Sequence, residues 1–467
     1  MLVRLFIAIM AGKFVMWLSR SLGQGSGSSL PGMVALRICP GLLEILARQI
    51  KEGIIVVTGT NGKTTTSNML ADILSSEGQR VVTNRKGANL ATGVASAFLQ
   101  SATVLGRLDY EWAVLEVDEA AFPFVYSQVK PQAVVVTNFF RDQLDRYGEL
   151  DATVDLIKKS LLDRGHAQLI LNADDPLVAG LAAVAEKQPV YYGLGEHRET
   201  CARGVGVKEA RFCPHCSQEL NYAYYHYSQL GAYSCPRCGF ARPVPALEAI
   251  NAEDGLEFVR GTVIYEQEQL ELTLPTGGLH NLYNAVAALA AATVAGISPR
   301  AGIGYLRGYH AATGRMDRFR HRGRLVLLNL VKNPAGFNRG LAILDKAPGS
   351  RDVLIAINDN DADGRDVSWL WDVDFEILGQ NNAGYNFFIC SGRRGEDMAV
   401  RLKYAGVPAD KIKVERNLEQ AVDRALGGRG ERVFLLATYT ALWPVELYLR
   451  DKAERVMTGG QDLPSVS

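Results

Sequence analysis

Residues 58–66 read Thr-Gly-Thr-Asn-Gly-Lys-Thr-Thr-Thr, a run with the groups needed to hold a phosphate chain. Gly59 and Gly62 let backbone amides approach anionic oxygens closely, Lys63 brings a positive charge, and Thr64 offers a hydroxyl to Mg²⁺. Thr60, Asn61 and Thr65 complete the loop as candidate nucleotide contacts. The spacing is shorter than the common G-x-x-x-x-G-K loop, so the identification rests on context: the apolar run GIIVV precedes the loop and a helical apolar pattern follows it.

A second group of residues suits a metal. Cys213, Cys216, Cys235 and Cys238 form two C-x-x-C pairs. Four thiolates fill a tetrahedral Zn²⁺ shell and leave no position for water, so the expected role is structural. His215 and His226 read as a knuckle residue and a surface residue. Tyr222, Tyr224, Tyr225 and Tyr227 lie close by, which raises a different reading, a ribbon that stacks single-stranded nucleic acid; the modest local charge argues against it.

The elements that must position these groups can be read around them. The chain has 467 residues, and its 50 Lys plus Arg balance 50 Asp plus Glu. With 48% hydrophobic and 21% charged residues, composition excludes a disordered chain or a polycation. Seven cysteines are too few for a disulfide scaffold and point to the cytosol. Residues 1–18 are apolar but broken by Arg4 and Lys13, and are shorter than the roughly 20 residues of a membrane span. They read as a helix buried against the body, with an amphipathic helix on a membrane surface as the alternative. Residues 23–32 read as a loop before a helical run near 42–50. From residue 53, strands alternate with helices, which predicts an α/β fold with a mainly parallel sheet. A Cys- and Tyr-rich insertion at about 201–245 interrupts it, and a second βα series after residue 319 forms a C-terminal, Rossmann-like α/β domain. The expected organisation is a helical segment over 1–50, an ATP-binding domain over 51–319 and a C-terminal domain over 320–467.

Taken in order, the motifs resemble the Mur ligase superfamily, ATP-dependent enzymes that join amines to carboxylates through an acyl phosphate. Besides the loop at 58–66, these are Glu116 in LEVDE, residues 137–148 (TNFFRDQLDRYG), 172–176 (NADDP), His280, Asn281 and Asn284 in GLHNLYNA, and Arg315 in GRMDRF. The resemblance implies that Glu116 binds Mg²⁺ together with Thr64, and that Asn281 and Arg315 position ATP. Gln143 stands where the family has a histidine, a departure at the place of a second Mg²⁺ site. Lys208 is a positional candidate for the family's carbamoylated lysine.

A Mur ligase core interrupted by a Cys₄ ribbon is similar to a narrower group, the MurT subunits of lipid II isoglutaminyl synthase, which work with a GatD glutaminase. Residues 29–32 (SLPG), 332–337 (KNPAGF), 362–371 (ADGRDVSWLW) and 437–441 (ATYTA) agree with that group. The implied activity is ATP-dependent amidation of the D-glutamate α-carboxylate of the lipid II stem peptide, giving D-isoglutamine during cytoplasmic peptidoglycan synthesis. The implied cofactors are ATP, Mg²⁺ and structural Zn²⁺. A GatD-like glutaminase would form a heterodimer with this chain and deliver ammonia. Lys63 would stabilise the transferring phosphoryl group, and Asp366 would complete the partner's Cys-His pair, with Asp359, Asp361 and Asp363 as neighbouring alternatives in the same acidic loop. Lys332 reads either as a group that reaches phosphate or substrate or as an exposed loop amine. Cys390 lacks a nucleophile-elbow sequence and reads as buried structure. Two other readings are an amino-acid-adding ligase of the folylpolyglutamate synthase kind and a zinc-ribbon NTPase that binds nucleic acid.

Overall fold

The computed structural model describes residues 2–21, 29–84, 88–141, 150–163, 166–198, 200, 210–255, 258–309 and 317–456. Arg315, Gln143 and Lys208 lie outside the described residues.

Nine strands build the first sheet: β1 (Gly53–Thr58), β2 (Val81–Thr83), β3 (Trp112–Glu116), β4 (Ala133–Val136), β5 (Gln168–Asn172), β6 (Val190–Leu194), β9 (Leu247–Asp254), β10 (Val259–Tyr265) and β11 (Glu268–Leu274). They lie in the order β11-β10-β9-β6-β5-β4-β1-β3-β2. The run from β2 to β9 is parallel, and β10 and β11 are added antiparallel. β1 is buried at every position, as a strand covered on both faces must be. Its alternate residues serve different cores: Ile54 and Val56 join one apolar cluster, Ile55 and Val57 the other. Helices Lys63–Ser76 and Leu279–Val294 fill the second cluster, and the N-terminal helices with Ala91–Ser101 fill the first.

Parallel neighbours need a long crossover, usually a helix. Between β6 and β9 that connection contains the cysteine ribbon, whose hairpin pairs β7 (Asn221–Tyr227) with β8 (Leu230–Ser234).

The second sheet consists of β12 (Asp317–His321), β13 (Arg324–Leu330), β14 (Arg351–Ala356), β15 (Tyr385–Ser391), β16 (Ile412–Val414), β17 (Arg432–Ala437) and β18 (Glu454–Arg455). Its order is β16-β15-β14-β17-β13-β12-β18, and its first described strand starts at Asp317, three residues before position 320. Two apolar clusters cover its two faces. Cys390 is buried in one of them, and burial pushes its thiol up to about 12.

The N-terminal region differs from the sequence expectation in two respects. The segment 23–32 is not a loop to its end, because a helix, Leu30–Ile38, starts there with Pro31 in its first turn, a position Pro favours. Gly32 makes the contact possible: a Cβ there would lie 1.9 Å from the Thr92 carbonyl oxygen, and its amide donates to Ser96 Oγ at 2.8 Å. Helix Leu2–Ser21 packs one face on the body, through Leu5, Ala8 and Ile9. Its other face is exposed, so the expectation of a buried helix holds for half of its surface.

Candidate functional site

β1 delivers the chain into the glycine loop, and the helix Lys63–Ser76 leaves it. Gly59 and Gly62 adopt φ of +111° and +90°, conformations that exclude most side chains. Space is equally restrictive, since a Cβ on Gly62 would sit 2.2 Å from Asn284 Oδ1. Gly62 caps the helix without a side chain, which leaves the positive end of the dipole facing the loop.

The loop is shaped by side chains distant in sequence. Asn138 clamps Asn61 at both ends, Oδ1 accepting its amide at 3.0 Å and Nδ2 donating to its carbonyl at 3.0 Å. The Thr60 hydroxyl donates to the Phe140 carbonyl and accepts the Phe140 amide. The Thr137–Phe140 stretch therefore acts on the loop as a mould.

Lys63 is buried, and its Nζ donates to the Gly59 carbonyl at 2.6 Å and to Glu119 Oε2 at 3.0 Å. Thr64 Oγ1 donates to Glu116 Oε1 at 3.0 Å. Asn84 fixes the end of β3, its side chain bonding both the amide and the carbonyl of Glu116. Asn89 Nδ2 lies 3.4 Å from the same Glu116 oxygen. Glu119, Asn84 and Asn138 were not recognised from sequence. The signal for Glu119 was its position three residues beyond Glu116, in the LEVDE run that carries the chain out of β3.

Asn281 and Asn284 lie one turn apart near the start of helix Leu279–Val294, both buried. Asn281 Nδ2 donates to the Gly277 carbonyl at 2.7 Å. Among the described residues, the buried amide nitrogens Asn61 Nδ2 and Asn284 Nδ2 have no hydrogen-bond partner. Two buried orphan donors beside a glycine loop suit an anionic, acceptor-rich nucleotide. Thr64 and Glu116 form an all-oxygen pair of the kind Mg²⁺ takes.

The second domain reaches this loop. Asn333 caps helix Pro334–Lys346 by accepting the Gly336 amide, and its Nδ2 donates to Asn61 Oδ1 at 3.2 Å. Ala335 enters the apolar core of the first domain. Lys332, half-buried, precedes this contact directly.

The four ribbon cysteines place their sulfurs within 4.8 Å of one another, with Cys213–Cys238 and Cys216–Cys235 at 3.5 Å. A tetrahedral ion with Zn–S bonds of about 2.3 Å sets sulfurs about 3.8 Å apart, so this cluster can hold a metal ion. The two knuckles share one shape: the Ser217 amide donates to the Cys213 carbonyl, and the Gly239 amide to that of Cys235, with φ of +57° and +76° at Ser217 and Gly239. Burial pushes the Cys213 thiol up to about 12. At Cys235 burial opposes ionisation, but the amides of Cys238 and Arg237 together with the thiols of Cys216 and Cys238 bring the thiol down to about 6.

The ribbon and helix Leu279–Val294 meet at Asp174, which is fully buried. It accepts from Arg242 Nε at 2.6 Å, the Tyr283 hydroxyl at 2.6 Å and the Leu194 amide at 2.8 Å. His226, expected at the surface, is instead buried between the Leu194 carbonyl and His197, each 3.1 Å away, because β7 turns that side chain inward. Tyr225 is buried and stacks on Tyr222, so these rings serve packing.

In the loop after β14, four aspartates have separate fates. Burial works against Asp359, but Arg394 and Arg393 hold it below the usual carboxylate range. Asp361 pairs with Arg365 at 2.7 Å. Asp363 is buried and accepts from the Thr440 amide and hydroxyl. Asp366 is bonded within its own turn, accepting from the Ser368 amide at 2.8 Å and hydroxyl at 2.9 Å. Helix Tyr439–Lys452, whose Thr440 holds Asp363, exposes Tyr439, Trp443 and Leu447 at four-residue spacing. An open cavity of about 550 Å³ is bordered by Asp359, Asp361, Arg365 and Arg393.

Comparison with known proteins gives these features relatives. Residues 57–234 match the Mur ligase middle domain family, and residues 330–442 match the MurT ligase C-terminal family. The chain is 36% identical, over 98% of its length and 100% of the relative's, to the lipid II isoglutaminyl synthase (glutamine-hydrolyzing) subunit MurT of Staphylococcus aureus (strain COL). It is 34% identical to the protein of the same name from Streptococcus pneumoniae (strain ATCC BAA-255 / R6), over 90% of this chain and 91% of the other. Among solved structures, a pseudomurein peptide ligase type C from Methanothermus fervidus aligns with a TM-score of 0.65 at 23% identity, covering 87% of this chain and 80% of that one. A MurF ligase from Thermotoga maritima in complex with ADP aligns with a TM-score of 0.62 at 14% identity, covering 90% and 84%. These two share the fold.

Proposed function

The chain belongs to the MurT family of Mur ligase-fold subunits of lipid II isoglutaminyl synthase, and from that membership we propose that it amidates the D-glutamate α-carboxylate of the lipid II stem peptide at the expense of ATP. A carboxylate is a poor electrophile because oxide would have to leave. Transfer of the γ-phosphoryl group to it gives an acyl phosphate and ADP; ammonia then attacks the carbonyl carbon, phosphate departs, and the amide of D-isoglutamine remains.

The observation that carries this reading is the cluster at the glycine loop, where Lys63 and Thr64 bond Glu119 and Glu116, and Asn61 Nδ2 and Asn284 Nδ2, one on the loop and one packed against Gly62, are buried without a partner. Lys63, now held by Glu119, would turn to the phosphates and stabilise charge on the phosphoryl group in flight. Mg²⁺, held by Thr64 and Glu116, would neutralise phosphate charge. Asn281 and Arg315 would position the nucleotide, and Lys332 would reach phosphate or substrate. Zn²⁺ on the four cysteines would brace the ribbon.

Ammonia at neutral pH is almost all protonated, so a glutaminase that releases it locally answers a chemical need. The partner we propose is a GatD-like glutaminase docked beside the acidic loop, on the face that carries Tyr439 and Trp443. Asp366 would orient the partner's catalytic histidine. Its three neighbours are tied to arginines or to Thr440, which supports Asp366 over them. ATP and glutamine place the reaction in the cytoplasm.

The test is to purify the chain with a candidate glutaminase and follow acid-to-amide conversion of lipid II by mass spectrometry, supplying glutamine or ammonia. Amide formed from either source supports the proposal. ATP hydrolysis with lipid II left unmodified by both would overturn it.

A further inference from the structure

The exposed face of helix Leu2–Ser21 has no role in this chemistry. Val3, Phe6, Met10, Phe14 and Trp17 recur at three- and four-residue spacing and line one side, with Val3 73%, Phe14 60% and Trp17 62% exposed. The rings of Phe14 and Trp17 stack on each other, 5.9 Å apart. From Val3 to Trp17 the stripe runs about 21 Å along the helix.

The helix carrying the stripe is firmly seated. Its opposite side enters the main core, and at Gly12 an added Cβ would already lie 2.8 Å from Leu99 Cδ1. A second element lies against the seated side of this helix. Gly106 sits against Ile9 Cδ1, and the turn Thr103–Arg107 exposes Val104 and Leu105, the latter 68% exposed. Exposed apolar side chains on two adjoining elements mark an interaction site.

Charge indicates what covers it. Residues 1–43 contain Arg4, Lys13, Arg20 and Arg37 and no Asp or Glu. Arg107 is exposed two residues beyond Leu105, while the next acids along the chain, Asp109 and Glu111, are paired with Arg80 and Lys51. No helix among the described residues is long and apolar enough to cross a membrane. An apolar stripe within a purely basic segment suits a helix lying flat on anionic lipid.

We infer that the exposed face of helix Leu2–Ser21, together with the Val104–Leu105 turn, docks on an anionic bilayer surface and holds the ligase beside its lipid-linked substrate. The inference rests on the lipid II reading for its purpose, though not for the surface itself.

Vesicle co-sedimentation of the full chain with its glutaminase tests it, using phosphatidylcholine vesicles with and without phosphatidylglycerol. The wild type sediments with the anionic vesicles, less so at high salt. Phe14→Glu with Trp17→Glu lowers the bound fraction about tenfold or more; the milder pair Val104→Ser with Leu105→Ser lowers it less. Both variants amidate a short-chain, water-soluble lipid II analogue at the wild-type rate and are slower on vesicle-embedded lipid II. Absence of wild-type binding, or equal binding by the double glutamate variant, overturns the inference. So does a change in the complex's mass by light scattering in that variant, which would assign the face to a second copy or to the glutaminase. If the wild type binds vesicles through this face and amidates neither substrate, the lipid II reading fails and the membrane surface stands.

Discussion

The glycine loop and the acidic loop are both sites made of polar side chains, yet they are built in opposite ways. At the glycine loop the groups are buried and already in register: Asn138 grips Asn61, Asn84 grips Glu116, and Lys63 is held by Glu119. At the acidic loop Asp363 braces the turn while Asp366 remains near the surface, bonded to Ser368 alone among the described residues. The first arrangement is that of a site complete within one chain. The second presents one carboxylate near a surface, which on the proposed reading would complete a partner's site.

This contrast is most severely tested by Lys63→Ala. If the glycine loop performs the activation step, amidation falls by about 10³-fold or more whether glutamine or ammonia is supplied. Thermal denaturation must accompany the assay, because the variant leaves Glu119 without its cation. Asp366→Asn separates the two sites: glutamine-driven amidation falls by about 10²-fold or more, while ammonia-driven amidation stays at the wild-type rate. Equal losses from both nitrogen sources would remove the contrast, and the same loss in Asp361→Asn would move it to another residue.

Much of the first site was legible because its groups are contiguous. Gly59, Gly62, Lys63 and Thr64 follow one another after an apolar strand, and each cysteine pair of the ribbon lies within four residues. What stayed hidden is what the fold brings from afar. Asn138 meets Asn61 across the β1–β4 boundary, Glu119 meets Lys63, and Asp174 joins the ribbon to helix Leu279–Val294; each lies in a recognisable motif, but no local pattern names the distant residue it meets. The aspartates of the acidic loop are alike in sequence, and only the positions of Arg393, Arg394 and Thr440 distinguish them. The helix Leu30–Ile38 was obscured by its Pro-Gly start, where Pro31 opens the helix and Gly32 admits its neighbour.

Smaller effects refine the picture around the first site. Cys235→Ser removes one knuckle sulfur; the protein then loses bound metal by elemental analysis, and its Tm falls by about 5 °C or more. Activity should fall with it, since Asp174 ties the ribbon to the helix of Asn281 and Asn284, whereas glutaminase binding should persist. The least of these concerns His226, which burial holds below its ordinary 6.5, with Asp174 opposing. The folded protein keeps this ring neutral while the unfolded chain protonates it. Its contribution is therefore full above about pH 6.5 and is lost as the pH falls through the folded value. His226→Gln should flatten the decline in Tm between about pH 7.5 and pH 5.5, and an unchanged slope would show that other groups set it.

The strand order of the second sheet has a consequence for synthesis on the ribosome. β13 and β14 each pair with β17 and not with each other, although some seventy-five residues separate β17 from β14 in the sequence. Emerging from the exit tunnel, the two earlier strands have an empty lane between them until Arg432–Ala437 appears. Thr440, which fastens Asp363, follows only three residues later. The acidic loop is thus set among the last acts of translation, and on the proposed reading a truncated or stalled chain would lack the surface on which the glutaminase docks.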